Sequence, residues 1–312
     1  MAKITYLWNG KTSATSSVNE FTADYLQGST SGYVKFASWS EEWTGVNLSY
    51  LLSPSQIPTS GTLKSYSYKN NVSGYFFSIT DVSLVIPPNI TDELLITELT
   101  KGTDEWFGDS SSNYFVISPG GDTYRGGGGI DYLYAPALKA LYISNKTTIN
   151  KLVNGNIQIN NLGNFNAILD SIERLKFTDV SIAYDLEGNA GKVAKVLGAV
   201  FGKSALTNKD YVGIGLSFLD AGMDYKNLLD LALTAKLGQN YTTEAEIKLL
   251  YTNVFNLTPG TVTLDILKGL VDGGYCSKSE LAYIIAETSN NQINVNLVGL
   301  AQSGIEYIPF GS

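Results

Sequence analysis

The chain has 312 residues, 44% of them hydrophobic, and a formal net charge of −8, so it is long and apolar enough for two or three folded domains. The acidic balance, with a pI of about 4.7, argues against nucleic acid as a partner, because phosphates are held by clustered Lys and Arg. The sequence has no histidine, which removes HExxH zinc sites, Ser-His-Asp triads and Cys-His pairs.

Residues 1–98 alternate in short β-rich runs: KITYLW, GYVKFASW, VNLSYLL, TLKSYSY, GYFFSIT and VSLVI. Gly, Ser, Asn and Pro clusters separate them. The pattern predicts an antiparallel, sandwich-like β domain. Its Tyr, Trp, Ser, Thr and Asn content suits either ordinary half-exposed strands or a glycan-binding face that includes Trp39 and Trp43. The neighbouring Glu41 and Glu42 of WSEEW read as a solvated turn.

Residues 99–134 carry a period of nine, in the lines LTKGTDEWF, GDSSSNYFV, ISPGGDTYR and GGGGIDYLY. Column four is Gly102, Ser111, Gly120 and Gly129. Column six is Asp104, Asn113, Asp122 and Asp131, and column eight is Trp106, Phe115, Tyr124 and Leu133. Small residues early in a line predict a tight turn, in part at positive φ. The end of each line predicts a short strand with column eight facing inward, and column six sets an oxygen ligand at the turn. Stacked turns bring these oxygens and backbone carbonyls together, and a hard cation would relieve their repulsion. Ca²⁺ fits, since it takes roughly six to eight oxygens, carbonyls included. A metal-free stack of the same strands is the alternative.

Residues 126–134 match the motif G-G-x-G-x-D-x-U-x at every specified position, and the segment resembles the calcium-binding nonapeptides of RTX (haemolysin-type) proteins. The resemblance implies a short parallel β-roll in which Asp104 pairs with Asp122 and Asn113 with Asp131. The ligand set it implies is Gly102, Asp104, Ser111, Asn113, Gly120, Asp122, Gly127, Gly129 and Asp131. Lines one to three lack the paired glycines and Asn113 replaces an acid, so one or two Ca²⁺ sites are expected rather than one per line. The run SGTLKSYSYKNNVSGYFFSITDVSLV resembles a module often found upstream of such repeats.

Within 136–178, ALYISN, TTINKLVNGNIQINNL and ERLKFTD predict strands that cap the roll, with Asn154-Gly155 as a hairpin turn. From Asn189 the pattern turns helical, with Val193, Val196, Leu197, Val200 and Phe201 on one face. Thr243-x-x-Glu246 and Ser277-x-x-Glu280 read as capping boxes, and Gly222, Gly238 and Gly273 as helix C-caps. Asp185 and Asn189 either cap the first helix or hold a weak cation. Cys276, the single cysteine, reads as buried filler. The expected organisation is a multidomain α+β chain: a β-rich domain at 1–98, a β-roll with β-cap at 99–178 and an all-α domain at 179–312.

The stretch from about 171 to 310, including YVGIGLSFLDAGMDYKNLLDLAL and INVNLVGLAQSGIEYIPF, resembles the helical domain of unknown function that ends many RTX proteins. That resemblance implies export through a type I secretion apparatus on an uncleaved C-terminal signal. It places the chain outside the cell or on the bacterial cell surface, in keeping with a first segment that lacks an apolar leader. No run reaches the ~18 apolar residues of a membrane span. Three functions are in view. The first is a non-enzymatic surface-layer or filament-type subunit that folds with Ca²⁺ and self-assembles into a homo-oligomer or polymer. The second is an adhesin for cell-surface polysaccharide. The third is a secreted polysaccharide hydrolase using Glu41, Glu42, Asp104 or Glu105.

Overall fold

The structure is a computed structural model that describes residues 3–7, 22–23, 29–35, 39–49, 60–70, 76–80, 82–86, 98–136, 139, 147–162 and 165–311. The chain divides into two compact units, 1–173 and 174–312.

The strands of the first unit are β1 (Lys3–Leu7), β2 (Thr22–Ala23), β3 (Ser29–Lys35), β4 (Trp39–Ser49), β5 (Ser60–Asn70), β6 (Phe76–Thr80), β7 (Leu84–Val85), β8 (Glu105–Phe107), β9 (Tyr114–Val116), β10 (Gly120–Arg125), β11 (Tyr132–Tyr134), β12 (Thr148–Lys151), β13 (Ile157–Leu162) and β14 (Phe165–Asp170). All but β9 and β11 join one 12-stranded sheet in the order β12-β13-β14-β10-β8-β1-β6-β5-β4-β3-β2, with β7 beside β5. β1 pairs with β6 antiparallel but with β8 parallel, Ile4 opposite Trp106. β8, β10 and β14 run parallel, and β13 returns antiparallel on β14. β9 and β11 form a separate parallel ladder.

This arrangement corrects the expected fold class. The molecule is a mixed α/β fold, without a free-standing parallel β-roll between a sandwich-like domain and a cap. Two of the repeat's strands, β8 and β10, lie in the middle of the mixed 12-stranded sheet, while β9 and β11 pair with each other outside it. The reason is edge pairing: bare outer strands would present unpaired N–H and C=O groups. Here β1 covers β8 on one side, and the β13 hairpin covers β14 on the other. The WSEEW carboxylates also differ from expectation, since Glu41 and Glu42 lie inside β4, which is paired on both sides. The ALYISN run lies outside the described residues. The Asn154-Gly155 turn does join β12 to β13, with Gly155 at φ +92.

The period of nine builds the core of the repeat segment. Trp106, Phe115, Tyr124 and Leu133 are all buried. Trp106 stacks on Tyr124 at 5.7 Å between centroids, and Phe115 meets the same ring edge-on at 5.8 Å. Each such ring pair adds about 0.5–1.5 kcal/mol beyond its buried area.

In the second unit β15 (Arg174–Lys176), β16 (Ser181–Ala183) and β17 (Ile305–Tyr307) form an antiparallel ladder. Between β16 and β17 lie α1 (Asn189–Phe201), α2 (Lys209–Asp220), α3 (Tyr225–Leu237), α4 (Thr243–Phe255), α5 (Thr261–Asp272), α6 (Lys278–Ala286), α7 (Ser289–Asn294) and α8 (Leu297–Ser303). The unit is therefore not all-α. Alternation in β17 places Ile305 and Tyr307 in the helical core while Glu306 stays outside it. α1 is buried on more than one face, through Val193, Ala194, Val196, Leu197, Ala199 and Val200, as befits a central helix.

Buried charge organises the entry to α1. The Arg174 side chain is fully buried; it is ion-paired with Asp185 and lies 3.2 Å from Asp220. Asp185 Oδ2 also accepts the Asn189 N–H at 2.9 Å and the Ala190 N–H at 3.3 Å. Asp185 thus caps the helix as expected, and the cation beside it is a side chain of the same unit. Asn189 bonds Asp220 through its side-chain amide.

The capping box at Ser277 and Glu280 is present. The one at Thr243 is not: Thr242 is the N-cap, its hydroxyl accepting the Ala245 N–H at 3.1 Å. Gly238 and Gly273 are helix C-caps as expected, Gly238 at φ +90 and Gly273 in a right-handed conformation, while Gly222, at φ +91, stands one residue beyond the C-cap Ala221. Cys276 is half-buried rather than fully enclosed.

The shift of cap to Thr242 leaves Glu246 on the inner face of α4, fully buried, with neither carboxyl oxygen hydrogen-bonded. Burial pushes this carboxyl from 4.5 up to about 8; Lys278 opposes the shift and Asp230 adds to it. The folded state thus holds a proton that the unfolded chain releases. Its stability declines as pH rises from about 4.5 to about 8, where the folded group itself ionises. Glu246→Gln cannot ionise and should flatten that decline, which amounts to up to about 1.4 kcal/mol per pH unit across the window. Denaturant melts at pH 5 and pH 8 check it, and a parallel decline in both proteins contradicts it.

Candidate metal centre

The repeat turns are joined by backbone hydrogen bonds between residues 19 apart. The Gly121 N–H reaches the Gly102 carbonyl at 3.2 Å, Thr123 reaches Asp104 at 2.8 Å, and Tyr132 reaches Asn113 at 2.9 Å. Column six pairs residues 18 apart. Asp122 Oδ1 accepts the Asp104 N–H at 2.9 Å, and Asp131 Oδ1 accepts the Asn113 N–H at 2.6 Å. The structure therefore brings together both residue pairs expected from the repeat.

Glycine is required at Gly127 and Gly129 on two grounds. Both have positive φ, +95 and +100. A Cβ on Gly127 would collide with the Asp109 carbonyl, and one on Gly129 would lie 2.7 Å from the Ser111 carbonyl carbon and the Ser112 nitrogen. Gly102 and Gly120 bridge in parallel one pair of turns over. Ser111 is exposed, and its N–H donates to Asp109 Oδ1 at 2.8 Å.

The two pairs are chemically unlike. Asp122 is fully buried and its carboxylate is enclosed by donors. Ser118 Oγ and the Tyr124 hydroxyl, the latter at 3.3 Å, both bond Oδ2, and the Asp104 N–H bonds Oδ1. Burial raises the Asp122 carboxyl above its ordinary range, with Asp104 adding to the shift against those hydrogen bonds. Asp131 is equally buried, yet its Oδ2 has no hydrogen-bond partner. Burial pushes this carboxyl up to about 7; the Asn113 N–H opposes the shift, while Glu173 and Asp109 add to it.

Other oxygens crowd the same place. A Cβ on Gly126 would run into Asp131 Oδ2 and the Ser171 carbonyl oxygen. A Cβ on Gly108 would run into Asn113 Oδ1 and the Gly126 carbonyl oxygen. The two glycines thus form a cradle walled by a carboxylate, two carbonyls and an amide oxygen, the last already accepting the Asp109 N–H at 2.9 Å. Glu173 closes one side, its Oε2 accepting the Asp131 N–H at 2.8 Å while its own N–H reaches the Asp131 carbonyl at 3.1 Å. Such a donor set, all oxygen and partly backbone, is what Ca²⁺ accepts. Among the described residues, no group of three or more Cys, Asp or Glu side chains is close enough to hold a metal by itself. Any cation in the cradle would lean on the carbonyls and on Asn113.

Asp109, Gly108, Ser171 and Glu173 were not singled out by the repeat, and Gly126, a specified position of the motif, was not in the expected ligand set. Gly108 and Gly126 stand first in their lines, so the period could have marked them. Ser171, at φ +54, and Glu173 lie far along the chain, with no motif to signal them. On the outer side of the sheet, Arg125 bridges Glu105 and Asp170 at 2.9 Å each, which ties up one carboxylate considered for hydrolysis.

Comparison with protein-family models, with curated proteins and with solved structures returns no match. Among the described residues, no helix is long and apolar enough to cross a membrane.

The cradle separates two kinds of glycine. Gly126→Ala should destabilise the first unit by about 1–3 kcal/mol through overpacking and disturb the oxygens around Asp131. Gly102, with nothing within 4 Å of its Cβ position but a φ of +105, should lose about 1–2 kcal/mol on change to Ala from backbone strain alone, with those oxygens undisturbed. Equilibrium unfolding together with the Asp131 carboxyl ¹³C shift distinguishes them; an unchanged Asp131 signal in both variants would count against the cradle.

Proposed function

We propose that the chain is a calcium-dependent extracellular structural protein, a surface-layer or filament-type subunit, exported through a type I apparatus and assembling with copies of itself. The observation that carries the calcium part is the buried, unpartnered Oδ2 of Asp131 facing the Gly126 cradle. The residues that would hold Ca²⁺ are Asp131, Asn113 and the carbonyls of Gly126 and Ser171. Bound there, the ion supplies the positive charge that this group of oxygens lacks. Asp109 and Glu173 hold the turns in place through the bonds described above and add negative potential. Asp104 and Asp122 join their turns by hydrogen bonds in the protein itself.

Extracellular Ca²⁺ is abundant and cytosolic Ca²⁺ scarce, so a site of this kind couples folding to export. Binding to the folded state alone adds RT ln(1 + [Ca²⁺]/Kd) to stability, about 2.7 kcal/mol at a concentration a hundredfold above Kd. The self-assembling role rests on the resemblance of the repeat and of the helical unit to parts of exported RTX proteins.

Titration calorimetry should find a Ca²⁺ site that Asp131→Asn abolishes. Asp122→Asn should keep the site while losing about 1–3 kcal/mol of stability. Light scattering should show growth of assemblies in millimolar Ca²⁺, reversed by chelator. Heat and scattering that do not respond to Ca²⁺ would refute the proposal. Binding without assembly would retain the site and remove the structural role.

A further inference from the structure

Helices α1, α2 and α3 enclose a cavity of about 240 Å³ that the proposed calcium function does not use. Its walls include Val193, Leu197, Phe201, Phe218, Leu228 and Ala232. For comparison, a dry apolar cavity of ~150 Å³ is enough to admit benzene. Gly215 forms part of the wall, and a Cβ there would come within 2.9 Å of Val193. Two large side chains at the rim are open to solvent, Tyr211 at 44% and Leu231 at 42% exposure. The cavity is therefore reachable from outside and offers its contents almost only apolar surface.

A cation stands beside it. Lys236 follows the wall residue Ala235, and its Nζ sits 5.7 Å from the centroid of the Phe201 ring. Among the described residues Lys236 has no ion-pair partner, in contrast to Lys195, Lys209, Lys226 and Lys248, which each face a carboxylate. An apolar chamber with an uncompensated ammonium at its edge is complementary to a molecule with an apolar chain and an anionic end.

We propose that this cavity binds the acyl chain of a medium-length fatty carboxylate, the chain between α1, α2 and α3 and the carboxylate beside Lys236. Burial of the chain gives affinity, roughly fourfold for each buried methylene. The exposed ion pair adds selectivity for the acid over the matching alcohol, worth roughly threefold in affinity.

The test uses the full chain, with decanoate and decanol displacing a fluorescent polyene fatty acid. Decanoate should displace the probe saturably below its micelle concentration, and more tightly than decanol. Lys236→Gln should bring the two ligands to equal affinity while leaving decanol binding unchanged. Ala232→Phe should abolish displacement by filling the chamber. Ala235→Leu provides a second filled variant if the first fails to fold, as judged by its circular dichroism. Absence of saturable displacement, equal binding of acid and alcohol to the unmodified chain, or full binding in a folded filled variant would each overturn the proposal. So would a self-association that the filled variants abolish, since the occupant would then be a second copy of the chain.

Discussion

A carboxylate oxygen buried without a donor is among the more expensive arrangements in a folded chain, because the charged form loses water and gains nothing in return. Asp131 Oδ2 is in that position, and carbonyl and amide oxygens border the same cradle. Two outcomes relieve the cost: the carboxyl keeps a proton, or a cation enters. Much of the local backbone follows from holding those oxygens together. Gly126 and Gly108 leave room for them, Gly127 and Gly129 turn the chain tightly beneath them, and Ser171 adopts a positive φ where its carbonyl borders the cradle. Three of the four consecutive glycines are therefore a packing requirement, since side chains at Gly126, Gly127 and Gly129 would strike backbone, whereas one at Gly128 would make only ordinary contacts.

Asp122 shows what the same repeat position becomes when donors are supplied from within. Ser118, Tyr124 and the Asp104 N–H surround it. Asp131 has the equivalent backbone bond from Asn113 but no hydroxyls. The difference traces to sequence: the line containing Asp122 has Ser118 at position two and Tyr124 at position eight, where the line containing Asp131 has Gly127 and Leu133. One period thus yields a self-satisfied turn and an open one. In the second unit the same problem of buried charge is solved differently, with Arg174 placed between Asp185 and Asp220.

The local pattern was legible in the sequence wherever one residue type did one physical job. Column eight of the repeat is buried because aromatic and Leu side chains recur at fixed spacing, and column six pairs across 18 residues because two lines separate stacked turns. The hairpin at Asn154 and the box at Ser277 followed from local chemistry alone. What was not legible is long-range. That β1 would join β8 in parallel depends on which edges need covering, and no local pattern records it. The strand at Ile305–Tyr307 is too short to mark itself against the helical text around it. At Thr242 and Thr243 two adjacent hydroxyls could cap; Thr242 does, and the Thr243 hydroxyl instead bonds Asp272, a partner far along the chain. Ser171 and Glu173 reach Asp131 only through the return of β14 along β10.

The most direct test is an anomalous difference map from crystals grown in millimolar CaCl₂, measured where calcium scatters anomalously. A peak beside Asp131 Oδ2, bordered by the Gly126 and Ser171 carbonyls and by Asn113, is the predicted result. A map without a peak there, with Asp131 Oδ2 instead donating a proton to a neighbouring oxygen, would show that burial is met by protonation and that no ion is needed.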